Sequence, residues 1–184
     1  PTHNQRVQAI YARILTGRMV RVVSGRIVER VTAKEIHCAG GQSFPYDALF
    51  WVTNASAPGW IAESGLQVDG EGFVAVNPFL QSRSHPEVFA AGDVASMEES
   101  PRPKSGVFAV RQGPPLAANL RAMLCGEPLV PYRPQRRFLS LISTGNKNAV
   151  ASYGPFATEG SRVWRWKDWI DRKWMQRYQG EKAG

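Results

Sequence analysis

A short apolar segment that ends in a glycine and a carboxylate constrains this sequence more than any other feature. Residues Val88–Ala91 are typical of a strand, and Gly92 and Asp93 follow at once. Because glycine has no side chain, a bound molecule can approach the backbone closely there. A carboxylate repels phosphate and accepts hydrogen bonds, so we expect Asp93 to bind a hydroxyl group. An ordinary junction of strand and turn would explain the Gly-Asp pair alone equally well.

A helix is expected shortly after this strand end, since Ser105 is a suitable N-cap residue. Ligands of parallel α/β sheets bind beyond the carboxyl ends of the strands. A helix N-terminus at the same edge presents free N–H groups and a partial positive charge. We therefore expect the amides of Gly106, Val107 and Phe108 to contact the ligand that Asp93 binds.

The net charge of the chain and the spacing of its cysteines and histidines limit the ligands and sites that we expect. The 184 residues carry a net charge of +8, which favours anions such as dinucleotide phosphates, acidic lipids or nucleic acids. Cys38 and Cys125 form no CxxC pair and the three histidines lack metal-ligand spacing, so we expect neither a redox dithiol nor a metal site. Two reduced, buried thiols in a cytoplasmic protein are the simplest interpretation. We recognise no signal peptide and no transmembrane run.

Hydrophobic periodicity and turn residues predict the remaining elements. Helices are expected at Asn4–Leu15, Trp60–Leu66, Ser105–Leu124 and Arg162–Tyr178. Strands are expected at Met19–Val23, Arg26–Val31, Glu35–Cys38, Asp47–Val52, Phe73–Val76, Val88–Ala91, Arg137–Ser143, Asn148–Tyr153 and Phe156–Thr158. This order predicts an α/β fold with an α+β C-terminal part.

The sequence around the strand end resembles the second flavin motif of the pyridine nucleotide-disulfide oxidoreductases, flavoproteins with two dinucleotide-binding domains. In that motif a hydroxyl residue, a proline, an apolar pair and an alanine precede Gly-Asp. The matching positions here are Ser82, Pro86, Val88, Phe89, Ala90, Gly92 and Asp93. The stretch at 52–54 is similar to the Ala-Thr-Gly exit of the NAD domain, with Asn54 in place of the glycine.

Longer stretches are similar to the type II NADH dehydrogenase-like branch, and especially to the flavoprotein module that some bacteria fuse to selenide, water dikinase. They are Pro101–Leu120, Leu141–Ala151 and Trp164–Arg172. The resemblance implies a partial two-dinucleotide-binding-domain flavoprotein fold in three parts. These are the end of an NAD(P)-binding domain (a helix and an antiparallel meander) at 1–58, the second part of an FAD-binding domain at 59–126, and a C-terminal interface domain (a sheet and a tryptophan-rich helix) at 127–184.

The resemblance also implies FAD as cofactor and NAD(P)H as substrate, with electrons passed to a quinone or to a selenium or sulfur compound. Asp93 would accept a hydrogen bond from the ribityl chain, and the helix amides would face the reduced flavin ring. The implied cofactor-binding residues are Gly92, Asp93, Gly106, Val107 and Phe108. Lys104 and Gln112 are candidates for the acceptor side. No side chain is predicted as catalytic, because the flavin would carry the redox chemistry.

Family members hold the flavin pyrophosphate and NAD(P)H with two Gly-x-Gly-x-x-Gly loops. Neither loop is in these 184 residues. We therefore expect the chain to act with an N-terminal half of the same protein, and by itself to be inactive and to bind FAD weakly or not at all. The alternative is a non-enzymatic interaction or membrane-surface module that uses the flavoprotein fold as a scaffold.

The C-terminal segment combines four tryptophans with six cations in residues 162–177. On a helix, Val163, Trp166, Ile170 and Trp174 would share one side. Such a helix can lie at a membrane surface, but packing against the chain's own sheet or at a domain interface is the preferred interpretation. A homodimer through the C-terminal part and a peripheral membrane contact stay open. Nucleic-acid binding is not expected, because the flavoprotein resemblance accounts for the rest of the chain.

Overall fold

The computed structural model of the protein describes residues 3–176, which divide into two compact units. The first unit takes the residues up to Leu49 and those from Arg137 onward, and the second takes Phe50–Arg136. The helices are α1 (Gln5–Gly17), α2 (Gly59–Glu63), α3 (Gly106–Cys125) and α4 (Ser161–Gln176). The strands are β1 (Val28–Val31), β2 (Glu35–Cys38), β3 (Ser43–Pro45), β4 (Val74–Ala75), β5 (Ala95–Ser96), β6 (Ser140–Gly145), β7 (Asn148–Tyr153) and β8 (Phe156–Gly160).

Helix α1 begins where the sequence predicts it. The side chain of Asn4 accepts a hydrogen bond from the backbone N–H of Val7 at 3.0 Å, which satisfies one of the free amides of the first turn. Val7 is buried and Tyr11 is half-buried on the same helix. The predicted helix is therefore confirmed.

Strands β1, β2 and β3 form an antiparallel meander in which β2 lies in the centre. The predicted strand at Glu35–Cys38 is confirmed, and the strand predicted at Arg26–Val31 is shorter, because β1 begins at Val28. The predicted strand at Met19–Val23 is wrong. Met19 is 94% exposed, and none of the described residues forms a ladder with this stretch.

The buried strand predicted at Asp47–Val52 is also wrong. This stretch has no regular structure, and Phe50 and Val52 are 87% and 89% exposed. A β-prone apolar run becomes a strand only where a neighbouring strand completes its hydrogen bonds and covers its side chains. Within residues 3–176 no strand pairs with it.

In the second unit, the short strands β4 and β5 run parallel. They contribute to one apolar core, whose buried members are Ile61, Val74, Val76, Leu80, Ala90 and Ala95. Helix α3 continues through Pro114 and Pro115 and ends at Gly126, which adopts the left-handed conformation (φ 69°). The helices predicted at Trp60–Leu66 and Ser105–Leu124 are thus confirmed, although α2 is shorter and ends at Glu63.

The segment Val88–Ala91, which the sequence predicts as a strand, does not form a regular one. Its Phe89 makes an isolated antiparallel bridge with Gln81. The backbone of Val88 accepts from Ser82 at 2.8 Å and that of Ala90 donates to Leu80 at 3.0 Å. The prediction of a regular strand is wrong, because one isolated bridge and two backbone hydrogen bonds do not make a ladder. The chain then turns through a short 3₁₀ helix at Gly92–Val94.

The C-terminal part of the first unit is an antiparallel meander, β6–β7–β8, covered by α4. The turn between β6 and β7 places Asn146 and Lys147 at positive φ, the conformation of a tight hairpin turn. The predicted strands and turn are confirmed, although β6 begins at Ser140. The predicted last helix is confirmed as far as Gln176, and Tyr178 lies outside the described residues.

Three of the four residues predicted to share one side of α4, Val163, Ile170 and Trp174, are buried or half-buried. Val163 is buried and Trp164 packs with it against Ala149 and Ala151 of the sheet. Trp166, predicted on the packed side, is 46% exposed. The helix therefore turns an aromatic side outward, and no described helix is long and apolar enough to cross a membrane.

Candidate functional site

The Gly-Asp turn and the start of α3, which the sequence singles out, line the same cavity of about 200 Å³ in the second unit. Gly92 and Asp93 line one part of it, and Phe108 of α3 lines another. Gly92 has a φ of +75°, and a Cβ atom there would lie 3.5 Å from the Cβ of Ala109. Glycine is needed chiefly for its backbone conformation, because this separation is ordinary van der Waals contact.

Backbone hydrogen bonds to Ser105 stabilise the start of α3. The carbonyl of Ser105 accepts hydrogen bonds from the amides of Phe108 at 3.0 Å and Ala109 at 3.2 Å. The amide of Phe108, expected to face a ligand, is therefore already engaged. The amides of Gly106 and Val107 have no partner within the helix, although neither residue is among those that line the cavity.

A buried hydroxyl lies at the same helix end. Ser105 lines the cavity, and its Oγ atom is inaccessible to solvent but has no hydrogen-bond partner among the described residues. Its side chain does not cap the helix. A buried hydroxyl without a partner costs free energy, so Ser105 is a group that a bound ligand would satisfy.

Lys104 and Arg102 are the two cations among the described residues that line this cavity. The Nζ of Lys104 donates to the carbonyl of Ala95 at 2.7 Å and lies 3.8 Å from the centre of the Phe73 ring. Burial lowers the pKa of Lys104, while Asp69 and Asp93 act in the opposite direction. The ammonium group is therefore fixed in place and partly removed from water.

Asp69 is a site residue that the sequence interpretation missed, because the sequence from Asp69 to Gly72 predicts only a turn. Its Oδ1 accepts from the amides of Glu71 at 2.9 Å and Phe73 at 3.0 Å. Burial raises the pKa of Asp69, but hydrogen bonds from the Ser96 hydroxyl and these two amides, with the charge of Lys104, lower it overall. In the sequence, Asp69 is followed by Gly70 and Gly72, a pattern that predicts the turn but not the cavity beside it.

Gln112 is buried and lines the cavity from the second turn of α3. Its side-chain oxygen accepts a hydrogen bond from the amide of Gly92. This bond ties the Gly-Asp turn to the helix. The structure thus gives Gln112 a positioning contact, and the role predicted for it on the acceptor side stays a prediction.

The predicted burial of the two cysteine thiols can be compared with the structure. Cys38 and Cys125 are both free thiols, and Cys38 is buried as expected. Cys125 is exposed, so its predicted burial is wrong: it is the last residue of α3, directly before the C-cap Gly126. Among the described residues no cluster of histidine, cysteine and acidic side chains could hold a metal ion.

The sequence matches the pyridine nucleotide-disulphide oxidoreductase family over residues 1–113, which include the Gly-Asp turn and the start of α3. The chain belongs to this family of oxidoreductases, whose members use FAD and NAD(P)H.

Individual relatives agree with this assignment. The oxidoreductase ptaL of Pestalotiopsis fici is 28% identical over 130 residues, which are 71% of this chain and 34% of that protein. Ferroptosis suppressor protein 1 of Xenopus tropicalis is 30% identical over 98 residues, which are 53% of this chain and 25% of that protein. The chain thus spans about a third or less of the length of these relatives.

The fold has relatives among solved structures. The sulfide:quinone oxidoreductase of Aquifex aeolicus matches 94% of this chain and 45% of its own, with a TM-score of 0.73 and 14% identity. This similarity concerns the fold. The mixed α/β architecture predicted from the sequence is confirmed as that of the flavoprotein pyridine nucleotide-disulphide oxidoreductases.

The residues at the cavity fit part of an FAD molecule. Among the lining residues, the Asp93 carboxylate suits the ribityl hydroxyls and the unpartnered Ser105 hydroxyl suits a ring oxygen. The volume of about 200 Å³ is smaller than the range of about 300–1,000 Å³ typical of complete ligand pockets. The described residues therefore fit a portion of the cofactor.

Proposed function

We propose that this chain is part of an FAD-dependent NAD(P)H oxidoreductase and contributes the side of the flavin site formed by Gly92, Asp93 and the start of α3. The observation that carries the proposal is the meeting of the Gly-Asp turn and the α3 N-terminus at one cavity, within the stretch that the family matches. A nucleotide-binding half with the two Gly-x-Gly-x-x-Gly loops would hold the remainder of FAD and the NAD(P)H.

Each group of the proposed flavin site has a distinct role in this proposal. Asp93 accepts a hydrogen bond from the ribityl chain, while Ser105 and the amides of Gly106 and Val107 donate to the ring. Lys104 adds positive charge that favours an anionic ring. FAD, when bound, supplies the electron transfer from NAD(P)H to an acceptor. Phe108 lines the cavity and contributes apolar surface.

The proposal is tested by the affinity for FAD, measured by flavin fluorescence on the chain alone and on the chain joined to a nucleotide-binding half. We expect weak or undetectable binding by the chain alone and tight binding by the joined form. Asp93→Asn and Ser105→Ala should weaken the joined form. Arg121→Gln, which removes an exposed charge of α3 away from the cavity, is the matched control. Stoichiometric FAD in the purified chain alone, or no effect of either cavity variant, would contradict the proposal.

For the electron acceptor we propose a quinone or an oxidised selenium or sulfur compound. The support is the similarity of Pro101–Leu120 and the two later stretches to type II NADH dehydrogenase-like modules, including those fused to selenide, water dikinase. NADH oxidation by the joined form, compared with each acceptor, tests this. Activity with quinone alone would exclude the selenium link.

A second candidate function, an interaction module, is favoured by the exposure of Trp166 and Trp169, at 46% and 57%, on α4. In this interpretation the aromatic side contacts a partner domain or a second copy of the chain. Sedimentation of the wild type and of Trp166→Ala/Trp169→Ala would reveal association that the variant loses. Co-flotation with anionic vesicles, lost in the same variant, would instead identify a peripheral membrane contact. A monomer that does not float would exclude self-association and the membrane contact.

A further inference from the structure

The second unit contains another cavity, of about 710 Å³, which shares Met97, Ser100, Pro101 and Arg102 with the cavity of the proposed flavin site but extends to the segment 131–136. It lies between residues 76–78, a loop within 97–102 and the segment 131–136. We call it the arginine cleft, because three of the side chains that line it are Arg102, Arg133 and Arg136. Its volume falls within the range of about 300–1,000 Å³ typical of small-molecule sites.

The arginine cleft carries positive charge that its own residues do not neutralise. Glu99 is the one acidic residue among the described residues that line it, and its carboxylate pairs with Arg83 at 2.6 Å. Three arginines minus one glutamate leave a formal charge of +2 on the lining. Arg133 and Arg136 are exposed, and in the part of the chain that the structure describes neither has a hydrogen bond or an ion pair.

Arg102 is held in place by backbone carbonyls. It donates to Pro101 at 2.7 Å, to Gln135 at 3.2 Å and to Pro134 at 3.3 Å, through three different nitrogen atoms. A guanidinium group has five N–H donors, so two remain. Because these bonds fix the side chain, a ligand would lose little conformational entropy of Arg102 on binding.

Tyr132 supplies a polar group that has no partner. It lines the cleft, and its Oη atom is buried without a hydrogen bond among the described residues. Burial raises the pKa of Tyr132, while the charges of Arg111 and Arg102 act against this. The backbone N–H of Tyr132 donates to Pro78 at 2.8 Å, which fixes the residue beside the cleft. A ligand oxygen that accepts from this hydroxyl would relieve the cost of its burial.

We propose that the arginine cleft binds a phosphate group or another oxyanion of charge −2, either free or as the end of a larger molecule. Guanidinium forks match the paired oxygens of phosphate, and two or more of them can contact one dianion. The charge of such a group balances the formal charge of the lining. A neutral ligand would leave the arginine donors unpaired, so an anion is favoured. The proposal does not depend on flavin binding.

The test uses the 184-residue chain in flavin-free, phosphate-free buffer. Titration calorimetry and the Tm are measured with inorganic phosphate and with ribose 5-phosphate, against sodium chloride at equal ionic strength. We expect saturable binding of at least one phosphate probe and a Tm that rises with its concentration; the tighter probe shows whether the cleft prefers a free or an esterified phosphate. If neither phosphate probe binds, or if chloride raises the Tm equally, the proposal is wrong.

Variants locate the binding in the cleft. Arg133→Gln and Arg136→Gln should each raise the dissociation constant about tenfold, because each removes a charged hydrogen-bond donor. Arg121→Gln removes an exposed cation outside the cleft and should leave the dissociation constant within about twofold, since surface charges at a distance are screened. Equal effects of all three substitutions would show a general charge effect and overturn the proposal.

Two further variants act in opposite directions. Glu99→Gln should lower the dissociation constant, because it removes the negative charge of the lining. Tyr132→Phe should raise it, yet leave the Tm of the phosphate-free chain unchanged or higher, because it removes an unpartnered hydroxyl. Weaker binding in Glu99→Gln, or unchanged binding in Tyr132→Phe, would contradict the geometry proposed for the cleft.

Discussion

The side chain of Asn119 links three parts of the second unit. It is completely buried in α3, and its Nδ2 donates to the carbonyls of Phe79 at 2.8 Å and Val130 at 2.9 Å. Its Oδ1 accepts from the amide of Val130 at 2.8 Å. The polar atoms of the side chain are therefore satisfied by backbone groups of the segments on either side of the helix, which is the usual condition for burying an amide.

Asn119→Ala should lower the free energy of unfolding by about 2–4 kcal/mol, because it leaves buried backbone groups of Phe79 and Val130 without partners. Urea unfolding followed by fluorescence measures this change. Asn54→Ala, at an exposed position without a hydrogen bond among the described residues, should change it by less than about 0.5 kcal/mol. Equal effects of the two substitutions would contradict the bridging role of Asn119.

Asp69 makes stability depend on acid pH. Its pKa is lowered in the folded chain, so its carboxylate stabilises the fold above the pKa of the unfolded chain, about 4. That contribution is lost as the pH falls through the lower, folded value. Asp69→Asn should therefore lower the free energy of unfolding at pH 7. Below about pH 4, that free energy should fall less in the variant than in the wild type.

Chemical denaturation at pH 7 and at a series of values below 4 measures this difference. Glu87→Gln, at an exposed carboxylate without a hydrogen bond within residues 3–176, serves as control and should leave the pH profile unchanged. Parallel pH profiles for Asp69→Asn and the wild type would disprove the role of the hydrogen bonds and of Lys104.

At the scale of elements, the sequence predicts best those that are stabilised locally. Asn4 caps α1, Gly126 ends α3, and the residues Asn146 and Lys147 close the β6–β7 hairpin. The stretches at 19–23 and 47–52 have strand-like composition but no neighbouring strand in the described residues. Strand formation depends on such distant partners, which composition cannot reveal.

The orientation of α4 leads to a prediction about its tryptophans. Trp164 packs against the sheet, whereas Trp169 is 57% exposed and lies 5.0 Å from the Nζ of Lys173. Trp164→Ala should lower the free energy of unfolding by about 2 kcal/mol or more, since it removes a partly buried aromatic ring. Trp169→Ala on the same helix is the matched control, expected within about 0.5 kcal/mol. Thermal unfolding measures both changes. If Trp169→Ala proved more destabilising than Trp164→Ala, this orientation of α4 would be wrong.

For the whole molecule, the family and the position of the Gly-Asp turn follow from the sequence, because Gly92 and Asp93 belong to one contiguous motif. The cavity itself does not, since it also needs Asp69 from a distant turn and the fixed ammonium of Lys104. The arginine cleft is likewise invisible in the sequence. It exists because backbone carbonyls orient Arg102 from segments more than thirty residues away.

The central claim is that the Gly-Asp turn and the start of α3 form one side of a flavin site. The most direct measurement is the change in backbone amide chemical shifts when FAD is added to the ¹⁵N-labelled chain joined to a nucleotide-binding half, because that form is expected to bind FAD tightly. The account predicts the largest changes at Gly92, Asp93, Gly106 and Val107. No change at these amides at the highest attainable FAD concentration, or changes confined to the arginine cleft, would contradict it.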